Sequence, residues 1–213
     1  MTESDDRMKT GTTTLGLVCR DGVVMATEHR ATMGTLIAHT ETQKLFRIDE
    51  HIGLTTAGLV GDAQTLARYI TAEAELFRLK RDQPMTIKAA ATLTANILSG
   101  NRYYPYWVQL LIGGWDEEGG HIYSIDAAGG SIPDKYCATG SGSPYSYGVL
   151  EDNYKDDMTT DQGINLAIKA LNASMKRDAA SGNGYDIAVI GEKGWKALTP
   201  SELEKRKEKL NIK

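Results

Sequence analysis

Apolar and polar positions alternate along the first third of the chain in a period of two. Leu15, Leu17 and Cys19 fall on one face, Asp21-Gly22 reads as a hairpin turn, and Val23 to Glu28 forms the return strand. A second hairpin is predicted from Leu45–Ile48 and Ile52–Ala57 around Asp49-Glu50-His51. The period then lengthens. Leu66, Ile70, Ala74 and Phe77 recur at helical spacing behind Asp62, an expected N-cap, and Asp82-Gln83-Pro84 stops that helix. Thr86 caps a second helix through Ile87, Ala90, Thr94 and Ile97 to Gly100. Strands resume at Trp107–Ile112, His121–Ile125 and Tyr136–Ala138. Ser143-Pro144 is read as N-cap and first helical position of a short helix to about Asn153. Ile164, Ile168, Leu171 and Met175 mark a longer helix that stops near Ser181-Gly182. Strands at Tyr185–Ile190 and Trp195–Leu198 precede Thr199-Pro200-Ser201-Glu202, a capping box for the last helix. Grouped strands and grouped helices, without βαβ alternation, predict an α+β fold of antiparallel sheets with helices on their outer faces.

With 213 residues the chain suits one well-buried domain. A net charge of −4 argues against nucleic acid or an anionic membrane as the main partner, since both need a positive face. Lys205-Arg206-Lys207, flanked by Glu204 and Glu208, reads as a solvated helix end. Residues 1–11 carry Glu3, Asp5 and Asp6 and no apolar core, unlike a signal peptide, and no apolar run is long enough to span a bilayer. Cys19 and Cys137 lie far apart in apolar runs, as buried reduced thiols do. A soluble cytoplasmic protein is expected.

Several possible chemistries are poorly supported. The glycines at 113–114, 129–130 and 140–142 match no phosphate-binding pattern. The histidines at 29, 39, 51 and 121 have no zinc-ligand spacing, and no Gly-x-Ser-x-Gly elbow positions a serine nucleophile. The junction Gly11-Thr12-Thr13-Thr14 offers more, although three threonines opening a strand are also ordinary β-formers. A cut after Gly11 would leave hydroxyl and α-amine together on Thr12. An α-amine titrates at about 7.7–8.0, so it can take the hydroxyl proton near neutral pH without a histidine. Gly11 presents no side chain that would block approach to its carbonyl. Asp178 closes a helix, the unfavourable end of the dipole for an anion, which hints at another use.

A set of motifs then accumulates: Thr12-Thr13-Thr14-Leu15-Gly16, Ala26-Thr27-Glu28, Arg30-Ala31-Thr32-Met33-Gly34, Thr55-Thr56-Ala57-Gly58 and Gly61-Asp62-Ala63-Gln64. They continue with Tyr123-Ser124-Ile125-Asp126-Ala127, Ala138-Thr139-Gly140-Ser141-Gly142-Ser143-Pro144 and Lys176-Arg177-Asp178. In order and spacing, from Thr12 to about Ile190, the chain resembles 20S proteasome β subunits, the archaeal type most. The resemblance implies a four-layer αββα sandwich of the N-terminal-nucleophile hydrolases, a propeptide over residues 1–11 and a single domain over 12–213.

It also implies a threonine endopeptidase that removes its own propeptide at Gly11-Thr12 and hydrolyses unfolded polypeptides. Thr12 would be the nucleophile, Lys44 its neighbouring cation and Glu28 the partner of Lys44. Ser141, Asp178 and Ser181 would form the supporting network. Gly58 would supply the oxyanion N–H, and Thr32 with Gly58 would pair with the substrate backbone. Ala31, Thr42, Phe46, Thr56, Val60 and Gln64 would line the pocket for the side chain preceding the cut. Seven-membered β rings stacked in pairs, α-type rings, a regulatory ATPase and no metal or organic cofactor complete the implication. The chain departs from the family at Ala179, often serine, and at Thr56, often apolar. An inactive ring subunit and a small-molecule amidase of the same superfamily are the alternatives.

Overall fold

A computed structural model describes residues 11–212; of the propeptide expected over residues 1–11, all but Gly11 lies outside them. In chain order the elements are β1 (Thr14–Cys19), β2 (Gly22–Glu28), β3 (Ala31–Met33), β4 (Leu36–His39), β5 (Leu45–Asp49) and β6 (Ile52–Gly58). There follow α1 (Val60–Arg81), α2 (Ile87–Gly100), β7 (Val108–Asp116), β8 (Gly119–Ile125), β9 (Ser131–Asp134) and β10 (Tyr136–Thr139). The chain closes with α3 (Ser143–Asn153), α4 (Thr160–Arg177), β11 (Tyr185–Gly191), β12 (Gly194–Ala197) and α5 (Pro200–Lys209).

The strands form two five-stranded antiparallel sheets, β10-β1-β2-β11-β12 and β5-β6-β7-β8-β9, beside a small β3-β4 hairpin. All seven residues of β2 are buried, because both faces of its sheet are covered. Val24 and Ala26 pack with Ile164, Ile168 and Leu171 of α4. Val23 and Met25 alternate with them and meet Leu45, Leu111 and Ile122 of the other sheet. In β7, Leu110 and Ile112 face Leu66, Ile70, Ile87 and Leu98 of α1 and α2, while Leu111 faces the sheet interface. The result is helices, sheet, sheet, helices: the expected α+β sandwich. Cys137 and Cys19 are buried free thiols. Burial, with Asp21 nearby, pushes the Cys19 thiol up to about 12.

Three local readings need correction. Asp62 does not cap α1, which begins at Val60 after an extended Leu59. The Asp62 carboxylate instead accepts the Trp107 N–H at 2.8 Å, tying the loop before β7 to the first turn of α1. Ser143 lies inside α3, and Gly142 is the cap residue, with no side-chain bond. The hairpin β3-β4 and the edge strand β9 were not anticipated. Their apolar residues Met33, Leu36, Ile37 and Ile132 are exposed, so no buried face marks them. The capping role of Thr86 and the capping box of Thr199 with Glu202 are both present.

Candidate active site

The start of β1 positions Thr12, two residues before the strand. Thr14 pairs with Thr27 of β2 on one side and Thr139 of β10 on the other, and the Gly142 N–H donates to the Thr12 carbonyl at 3.3 Å. Thr12 is 3% exposed. Gly11 is still joined to it, so the Thr12 nitrogen is an amide, and that N–H donates to Ser141 Oγ at 3.1 Å. The Gly11 N–H donates to Thr32 Oγ1 at 3.1 Å. A Cβ on Gly11 would stand 2.0 Å from Ala180 Cβ and 2.8 Å from Ser141 Oγ. The space before Thr12 therefore admits only glycine without movement of its neighbours.

Two polar clusters meet at this residue. In the first, Glu28 at the end of β2 is wholly buried. Its Oε1 accepts the Lys44 ammonium and the Thr13 N–H, and its Oε2 accepts the N–H groups of Arg30 at 2.7 Å and Gly182 at 2.9 Å. Lys44 also donates to the Arg30 carbonyl. Burial pushes the Lys44 ammonium below its ordinary value, and the Glu28 carboxylate pulls in the opposite direction. Glu28 thus favours the charged lysine, but the desolvation effect is the larger.

In the second cluster Asp178, the C-cap of α4, accepts the hydroxyls of Ser141 at 2.6 Å and Ser181 at 2.7 Å on one oxygen. Its other oxygen takes the Ala180 N–H at 3.2 Å. Since Ser181 spends its proton on Asp178, the Thr13 hydroxyl is the donor in the 2.7 Å contact with Ser181 Oγ. Three donors compensate the carboxylate for its position at the helix C-terminus.

Thr12, Thr32, Lys44 and Gly58 line one cavity of about 240 Å³. Ala31, Thr42, Thr56 and Val60 are on its wall, together with Met33, His39, Leu59 and Ala63. Phe46 and Gln64 are not. Phe46 pairs across β5-β6 with Leu54 and packs on the core beneath α1, and Gln64 is exposed on α1. Gly58 has φ +123°, and a Cβ there would lie 2.0 Å from the Trp107 carbonyl oxygen, so no side chain fits.

Two contributors carried no assigned role in the sequence. Arg30 ties the clusters together: its carbonyl holds Lys44, while its guanidinium donates to the Ala179 carbonyl and Asn183 Oδ1, both at 2.7 Å. Thr13 does so through its N–H to Glu28 and its hydroxyl to Ser181. Both stand in the quoted motifs, but the part each plays through its backbone carbonyl or N–H leaves no mark on residue type. Among the described residues no group of three or more His, Cys, Asp or Glu side chains could hold a metal ion, and no helix is long and apolar enough to cross a membrane.

A family model described as proteasome subunit matches residues 8–190. A proteasome subunit beta of Methanothermobacter thermautotrophicus is 52% identical over 209 residues, which cover 98% of this chain and 100% of that relative. One of Ferroglobus placidus is 54% identical over 206 residues, 96% of this chain and 98% of the relative. One of Methanosarcina thermophila is 52% identical over 208 residues, 97% and 99% of the two chains.

Proposed function

The chain belongs to the proteasome subunit family, and on that premise we propose that it is a β-type threonine endopeptidase of a 20S core. Scission of the Gly11-Thr12 bond would generate its catalytic amine. The observation that carries the proposal is the bond from the Thr12 nitrogen to Ser141, whose own proton is held by Asp178. Once that nitrogen is an amine, Ser141 and Asp178 orient it, and it takes the proton of the Thr12 hydroxyl. The hydroxyl oxygen attacks the substrate carbonyl, and the Gly58 N–H receives the developing negative charge. The amine then gives its proton to the leaving nitrogen as the peptide bond breaks. Water enters, loses a proton to the same amine and hydrolyses the ester. Lys44 supplies a fixed positive charge on the opposite side, favouring the neutral amine and the ionising hydroxyl.

The same proposal takes residues 1–11 as a propeptide, residues 12–213 as the mature domain and unfolded polypeptides as substrates in the cytoplasm. It places the chain in seven-membered rings stacked in pairs, flanked by α-type rings and served by an ATPase. Peptidase assays on size-exclusion fractions test it. Activity should follow the large assembly, vanish in Thr12→Ala and survive in part in Thr12→Ser. Turnover by the alanine variant, or activity in the monomer peak, contradicts it.

A further inference from the structure

A second cavity, of about 550 Å³, opens on the other side of Gly58, with Tyr106, Trp107, Gly140 and Ser141 among its walls. Its lining is largely apolar. The Gln109 side-chain oxygen, a polar group at its wall, is already bonded to the Gly140 N–H at 3.0 Å. The Trp107 backbone is fixed, its N–H on Asp62 and its carbonyl accepting the Leu59 N–H at 2.9 Å. The residue nevertheless remains 52% exposed, and Tyr103 and Tyr104 on the same loop are 80% and 90% exposed. A solvent-facing tryptophan on an anchored backbone, beside a reacting group, is a surface suited to apolar contact.

We propose that this cavity is the subsite for apolar side chains on the leaving side of the cut, an inference that rests on the threonine-endopeptidase reading above. The direction follows from the proton. When the substrate C–N bond breaks and the ester C–O bond remains, the leaving nitrogen must receive a proton from the Thr12 amine. That nitrogen is on the Ser141 side of the residue, as its bond to Ser141 Oγ records. Lys44 lies instead on the wall of the first cavity. The departing segment therefore passes over Ser141 into the cavity that Ser141 and Trp107 share. Gly58, common to both cavities, marks the point between them where the scissile carbonyl sits.

The test uses assembled particles and two internally quenched peptides, identical before the cut and carrying either leucines or glycines at the two positions after it. Wild type should prefer the leucine peptide in kcat/KM by about tenfold, the lower range for apolar discrimination. Trp107→Ala should bring that ratio close to one, and Trp107→Phe should keep most of it; the ratio cancels any general loss of activity. Equal rates for the two peptides in wild type, or an unchanged ratio in Trp107→Ala, overturns the subsite. A peptide aldehyde lacking any leaving segment reports separately on Thr12. If it fails to inhibit wild type, the threonine reading falls, and the subsite with it.

Discussion

The two polar clusters that meet at Thr12 are built from similar parts and kept in different solvents. Glu28 and Lys44 are 0% and 5% exposed, and four donors converge on the carboxylate. Asp178 is partly exposed, Ser141 is exposed, and no cation is bonded to Asp178 among the described residues. In the dry cluster a charge is undiluted by water, so it can set the field at Thr12, but it must stay paired. In the wet cluster the groups hold geometry at the Thr12 nitrogen and stand open to solvent, which suits the proton transfers proposed above. The mechanism proposed for Thr12 uses both, one at its hydroxyl and one at its nitrogen.

The largest effect is expected from breaking the dry cluster. Lys44→Ala should reduce peptidase activity about a thousandfold or more, because the positive charge that favours the neutral amine and the ionising Thr12 hydroxyl is lost. Leaving Glu28 buried without its cation should also destabilise the subunit by about 3–5 kcal/mol in urea unfolding. Lys44→Arg should not restore activity, since the planar guanidinium cannot reach both the Glu28 carboxylate and the Arg30 carbonyl from the same position. A near-native rate in the arginine variant would reduce Lys44 to a generic positive field.

Breaking the wet cluster should do less. Asp178→Asn keeps size and loses the charge that accepts both serine hydroxyls, so activity should fall about a hundredfold. Stability should move by about 1–2 kcal/mol at most, because water can replace the lost bonds. Equal damage to stability from Asp178→Asn and Lys44→Ala would erase the distinction between the two clusters.

Gly11→Ala sharpens the comparison at the junction itself. The added methyl meets Ala180 and Ser141, an overpacking worth about 1–3 kcal/mol that displaces the bond to be cut. Intact mass over time should show slower loss of the leader, and Ala180→Gly should relieve it in part. The smallest effect concerns His29, which borders the dry cluster and bonds Asp186 at 3.0 Å. That hydrogen bond raises the His29 value above that of the unfolded chain. Its contribution is therefore full below the unfolded value and is lost as pH rises through the folded one. Asp186→Asn should lower the His29 midpoint in an NMR titration and remove about half a kcal/mol or less below it.

Most of the fold was legible because burial on both faces of β2 and β7 leaves a plain apolar code, and because Thr86 and Thr199 cap helices by side-chain chemistry that residue type reveals. The β3-β4 hairpin was not, since its apolar side chains point to solvent. Thr12, Glu28, Lys44, Ser141, Asp178 and Ser181 were assigned by resemblance, and the fold brings them together. Phe46 went astray because the pairing with Leu54 turns it toward the helices. The contributions of Arg30 and Thr13 run in part through backbone atoms, which no sequence pattern displays.

The mass of the assembled subunit is the most direct test of the N-terminal-amine mechanism. After incubation, wild-type particles should contain a chain beginning at Thr12, lighter by Met1 through Gly11, whereas Thr12→Ala particles should keep the leader. A wild-type particle that hydrolyses peptides while Gly11 remains bonded to Thr12 would contradict it.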